Sequence, residues 1–104
     1  MNRREYPVRG SMHEPSHPGL LFADILPELG RHTIGEIATF LGVSRQTLHR
    51  VMAGTAAVTP EMAVRIGKLC GNGPELWINM QTARDVWLAK QRLAKDLEKI
   101  PTLA

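Results

Sequence analysis

The chain has 104 residues, enough for one hydrophobic core and too few for two. Its 43% apolar and 22% charged residues are those of an ordinary water-soluble globule, and a formal charge of +3 permits a polyanionic partner without demanding one. A lone cysteine, Cys70, excludes a disulfide within the chain and reads as a reduced, buried residue; no apolar run approaches the roughly 18 residues of a membrane span, so a cytoplasmic protein is expected.

Residues 1–16 hold Pro7, Gly10, Pro15 and Ser16 and show no periodicity, which predicts an extended arm. Its Arg3, Arg4 and Arg9 would face either solvent or a polyanion. The folded domain is expected over 17–104. His17-Pro18-Gly19 opens a first helix, since proline is tolerated where the backbone N–H has no intrahelical partner. Phe22, Ile25 and Leu26 recur at helical spacing, and Pro27 must disturb the last turn. Glu28 to His32 then form a linker.

Thr33 caps the second helix, with Glu36 placed to complete a capping box. Ile37, Ala38 and Leu41 supply its inner face, and Gly42 ends it in the left-handed conformation. Ser44 caps the third helix, in which Leu48, Val51 and Met52 point inward. A small residue at 38, glycine at 42 and apolar residues at 37, 41, 43, 48 and 51 call for a tight crossing of two helices. This is the layout of a helix-turn-helix.

Thr59 caps the fourth helix and Pro60 takes its first position. Gly71-Asn72-Gly73 breaks the chain, and Pro74 starts a last helix expected to run to about Lys99. Along it Leu76, Met80, Ala83, Trp87, Ala94 and Leu97 form a heptad-like seam with Lys90 at the skipped position, while Trp77 and Leu88 occupy another side. A helix apolar on two sides needs two partner surfaces. The domain core is one; a second copy of the chain is the expected other, with Met80, Ala83, Trp87, Ala94 and Leu97 as the dimerisation residues. The competing reading is one broad core face. The fold class is therefore all-α, five helices, the last of them long.

With Leu48, Val51 and Met52 turned inward, the third helix presents Ser44, Arg45, Gln46, Thr47, His49 and Arg50, with no acid among them. The hydroxyls of Ser44 and Thr47 suit phosphate oxygens. Gln46 suits adenine, and Arg45 suits guanine or a phosphate. His49 would reach a base edge or the backbone, and Arg50 a phosphate. Solvent-facing helix surfaces usually mix charge signs, so readout of double-stranded operator DNA is preferred over a merely polar face. Two copies would place their recognition helices about 34 Å apart, one DNA turn.

The four histidines and Cys70 have no zinc-ligand spacing, and no catalytic motif occurs. No enzymatic activity, metal, cofactor or small-molecule substrate is expected.

These residues carry a resemblance. His17-Pro18-Gly19, G-V-S-R-Q-T-L at 42–48, A-G at 53–54, T-P-E-M-A at 59–63 and P-E-L-W-I-N-M-Q at 74–81 are similar to the HigA (VapI-like) antitoxin family. That family lies within the lambda-repressor-like, Xre-type helix-turn-helix fold. The resemblance implies a dimeric autorepressor of its own operon. It also implies a partner, a HigB-like toxin that cleaves mRNA, which the antitoxin neutralises. Ser44, Arg45, Gln46, Thr47, His49 and Arg50 match the family's DNA-facing positions. Two positions depart: Ile34 stands where the family often has a phosphate-touching Gln, and His32 where it often has Leu. A stand-alone Xre-type regulator, or a toxin-binding module that has lost DNA binding, remain alternatives.

Overall fold

His17 stands at the start of the first helix. Its Nδ1 accepts the N–H of Gly19 at 2.9 Å and so caps helix α1 (Pro18–Ile25). The computed structural model describes residues 13–104, and α1 is the first of six helices among them. Pro27 acts as its chemistry requires. The α-helix stops at Ile25, and Leu26–Leu29 continues as one tighter 3-10 turn, taking in the first two residues of the expected linker. Residues 1–12, with Arg3, Arg4 and Arg9, lie outside the described residues.

Helix α2 (Ile34–Leu41) has the complete capping box: Thr33 N–H donates to Glu36 Oε1 at 2.7 Å, and Glu36 N–H donates to Thr33 Oγ1 at 3.1 Å. Gly42 ends it with φ of +75°, a value other residues adopt only with strain. Helices α3 (Arg45–Met52) and α4 (Pro60–Cys70) start at the predicted caps, Ser44 and Thr59. Helix α5 (Glu75–Arg92) spans 18 residues, about 27 Å at 1.5 Å per residue. A short α6 (Ala94–Leu97) follows.

The core lies between these helices. Phe22 and Leu26 of α1, Ile37, Ala38 and Leu41 of α2, and Leu48 and Val51 of α3 are buried together. Val58, Met62, Ala63, Ile66 and Trp77 close it from the other side. Trp77 is fully buried and meets Phe22 edge-to-face, with ring centroids 6.0 Å apart, a geometry worth about 0.5–1.5 kcal/mol beyond the area buried. Its indole N–H is satisfied by Asn72 Oδ1 at 3.1 Å. So the Trp77 side of α5, not the Met80 side, enters the core. Gln81 stands one turn on, its Oε1 accepting Val58 N–H at 2.8 Å and its Nε2 donating to Asp85 at 2.9 Å. One close approach was invisible in the sequence. A Cβ at Gly19 would lie 1.9 Å from the Val51 carbonyl oxygen, so α1 crosses the end of α3 only because residue 19 has no side chain.

Three expectations need correction. Pro74 precedes the last helix rather than occupying its first position. The last helix does not run unbroken to Lys99 either. It leaves helical geometry at Leu93 (φ −99°, ψ 9°), which puts Ala94 and Leu97 on a separate helix, α6, from Met80, Ala83 and Trp87. The physical reason lies in burial: every residue from Lys90 onward is exposed, so no packing holds this end straight. Cys70 is half-buried rather than buried, with its thiol pKa raised by desolvation.

The chain before α1 is also pinned. Arg84 of α5 donates to the Pro15 carbonyl at 2.9 Å and pairs with the Glu14 carboxylate. This guanidinium and, above all, burial hold the His17 pKa below its ordinary 6.5; a hydrogen bond to the Ala56 backbone and the Asp85 charge oppose them more weakly. The unfolded chain therefore binds the proton more readily. Stability from neutral His17 is full above 6.5 and is lost as pH falls through the lower folded value. Denaturant unfolding followed from about pH 7.5 to pH 5.5 should show falling stability, and His17→Asn, which keeps a capping oxygen but cannot titrate, should flatten that slope.

Candidate nucleic-acid interface

Burial of Leu48 and Val51 sets the rotation of α3 about its own axis. At about 100° per residue, the side opposite those two carries Gln46, His49 and Arg50. All three are exposed. Arg45 and Thr47 stand on the two flanks, Arg45 toward α2 and Thr47 toward the loop before α4. No acidic residue lies on α3, and Ser44 through Leu48 include no side chain that would repel a phosphate.

The six predicted residues are thus one contiguous surface with unequal roles open to them. Ser44 is engaged within the protein. Its Oγ accepts Thr47 N–H at 3.0 Å and donates its own proton to Thr47 Oγ1 at 2.9 Å. The hydroxyl proton left free to point outward is that of Thr47, which is half-buried. Ser44 is a helix cap first. Arg45 leans back across the turn: a Cβ built on Gly35 of α2 would lie 2.7 Å from its Nη2, 3.0 Å from Nε and 3.2 Å from Cζ. The guanidinium therefore lies over bare helix backbone at residue 35, a contact that side-chain type and spacing could not announce. Among the described residues Arg45 has no carboxylate partner. Nearby Glu36 is exposed and takes part in the capping box.

The frame under this surface is fixed from below. Arg65 of α4 donates to the Leu41 carbonyl at 2.7 Å, filling one of the acceptors that the end of α2 leaves open. Its guanidinium also closes over Gly42. The turn of the motif is held between its own left-handed glycine and an arginine from outside it. Sequence reading gave Arg65 no role.

Groups of three or more His, Cys, Asp or Glu side chains that could hold a metal ion do not occur among the described residues. No helix there is long and apolar enough to cross a membrane.

No protein-family model matches the chain. Individual relatives do. Antitoxin HigA-1 of Vibrio cholerae is 30% identical over 97 residues, which cover 92% of this chain and 90% of the relative. The chain belongs to the HigA-type family of helix-turn-helix proteins. Among solved structures, a putative antidote protein of a plasmid maintenance system from Nostoc punctiforme is 41% identical, with a TM-score of 0.72 over 88% of this chain and the whole of that one. PA4674 of Pseudomonas aeruginosa, solved in complex with its 18 bp operator DNA, is 25% identical, with a TM-score of 0.73 over 86% of this chain and 97% of that one. The HigA-type fold covers nearly all the described helices, and the family expectation of a polar residue at the start of α2 fails here, where Ile34 is half-buried against the core.

Because the Ser44 hydroxyl is spent on the cap, Ser44→Ala should act mainly on stability. We expect a loss of about 1 kcal/mol in denaturant unfolding, with the salt dependence of any DNA binding unchanged.

Proposed function

We propose that this chain is a DNA-binding antitoxin that represses its own operon as a homodimer and neutralises a HigB-like, mRNA-cleaving toxin. The single observation that carries the DNA part is the outer face of α3, where Gln46, His49 and Arg50 stand exposed on a helix with no acid. The HigA-type membership and a fold shared with a protein solved on its operator support the same reading. Gln46, at the second helical position of α3, is the base reader; its amide matches the donor and acceptor of adenine in the major groove. His49 lies one turn behind it. Arg50 and the Thr47 hydroxyl, on one flank of α3, reach the phosphates there.

A single α3 touches only a few base pairs. Dimerisation supplies the second half-site, and the outer side of α5 is the surface available for it. Leu76, Val86, Leu93 and Leu97 are each between 43% and 46% exposed, and Ile100 is 63% exposed. Along the first part of the helix Ala83 is exposed while Met80 and Trp87 are half-buried, so only part of the expected seam is open to a partner there. Beyond the break at Leu93, Ala94 and Leu97 join the interface from α6. The toxin is the product of a neighbouring gene, and co-purification with that product tests this part directly.

For the DNA part, Gln46→Ala should weaken binding to the DNA upstream of its own gene by about 1–3 kcal/mol and relax selectivity at one base pair per half-site. An unchanged electrophoretic shift with unchanged sequence preference would count against the assignment.

A further inference from the structure

Gly35 is a poor residue for the place it occupies. It sits in the first turn of α2, an eight-residue helix, where alanine would favour the helix more. Its φ is not positive, so the backbone there does not require glycine. The Gly35 carbonyl already accepts the Thr39 hydroxyl at 2.9 Å, a bond that an alanine would leave intact. What glycine alone permits is the guanidinium above it. The Nη2, Nε and Cζ atoms of Arg45 stand 2.7, 3.0 and 3.2 Å from where a Cβ would be. All three belong to one flat group, so that group lies over residue 35.

A side chain leaning from the first position of α3 back over the start of α2 is drawn away from the groove-facing side that holds Gln46. In a helix-turn-helix the second helix enters the groove and the first crosses the backbone. A guanidinium resting on the first helix is therefore directed at phosphate and away from base edges. The Ile34 side chain has no polar atom to offer a phosphate at this end of α2, and Arg45 brings a cation to the same place from the neighbouring helix.

We infer that Gly35 is a positioning residue that lets the Arg45 guanidinium lie across the start of α2, where it grips a DNA phosphate and does not read a base. This rests on the DNA-binding reading above and assigns one of its residues a defined role.

The variants Gly35→Ala and Arg45→Ala, and the double variant, decide it on the full chain with its upstream DNA. The clash at residue 35 is with the far end of a flexible side chain, so Gly35→Ala displaces Arg45 without disturbing the fold. It should raise the melting temperature, by about 4 °C, because alanine favours the helix. The same substitution should weaken DNA binding. Loss of one phosphate contact lowers the log–log salt slope by about 0.9, which is about eight-fold in affinity at 0.1 M salt. Arg45→Ala should show that loss equally on operator variants altered at each base pair. Gly35→Ala should lose a comparable factor, and the double variant no more than Arg45→Ala alone. In the free protein the Arg45 Nε–Hε resonance should shift in Gly35→Ala. Opposed signs, greater stability with weaker binding, are not produced by a merely structural glycine. An Arg45 resonance unmoved by Gly35→Ala, or additive losses in the double variant, would overturn the positioning role. Arg45→Ala relaxing selectivity at one base pair would overturn the phosphate assignment. A wild-type chain that shifts no upstream DNA would overturn this inference and the proposed function together, whereas Arg45→Ala weakening binding while Gly35→Ala does not would overturn the positioning role alone.

Discussion

The burial of Leu48 and Val51 against α1 and α2 is the constraint on which the rest of the molecule depends. Two side chains about 60° apart around a helix axis leave α3 one rotational setting, and that setting turns Gln46, His49 and Arg50 outward. Other features serve to hold it. Gly19 lets α1 come against the Val51 carbonyl, Gly42 turns the chain sharply between α2 and α3, and Arg65 closes that turn from α4. The Phe22–Trp77 contact then fastens α1 to α5. A surface held this way would meet a ligand preorganised, and little ordering cost would fall on binding.

Most of this was legible from residues because helix ends carry local chemistry. Thr33 with Glu36, Gly42, Ser44 and Thr59 each satisfy or terminate backbone groups within a few positions of themselves, and each does in the structure what its type and place predict. The inner stripe of Ile37, Leu41, Leu48, Val51, Met62 and Ile66 follows from helical spacing alone. Longer-range facts were not legible. Helix α5 is apolar on two sides, and only packing reveals that Trp77 faces the core while Leu76 and Ala83 face out. Its break at Leu93 has no proline or glycine to announce it. Ser44 looked free to bind phosphate, and side-chain type could not show that Thr47 had taken its hydroxyl. The glycine at 35, unfavourable in a helix and without a backbone reason to be there, was an overlooked signal that something lies close above it.

The loop before α4 and the chain ahead of α1 are both tied to α5. Gln81 holds the loop before α4 at Val58, and Arg84 holds Glu14 and Pro15 ahead of α1. With Trp77 these contacts make the inner side of α5 continuous with the core that sets α3. Any partner seated on the outer side of α5 would therefore fix the distance between its own recognition helix and this one. Affinity and spacing would then come from one element, and the specificity from another.

Whether two copies of this chain present α3 to successive major grooves is tested most directly by hydroxyl-radical footprinting of the upstream DNA with the purified full chain. Two protected patches related by a two-fold axis, with centres about one helical turn or 34 Å apart, are the predicted result. A single protected patch, or two whose separation does not match whole turns of the duplex, would contradict it.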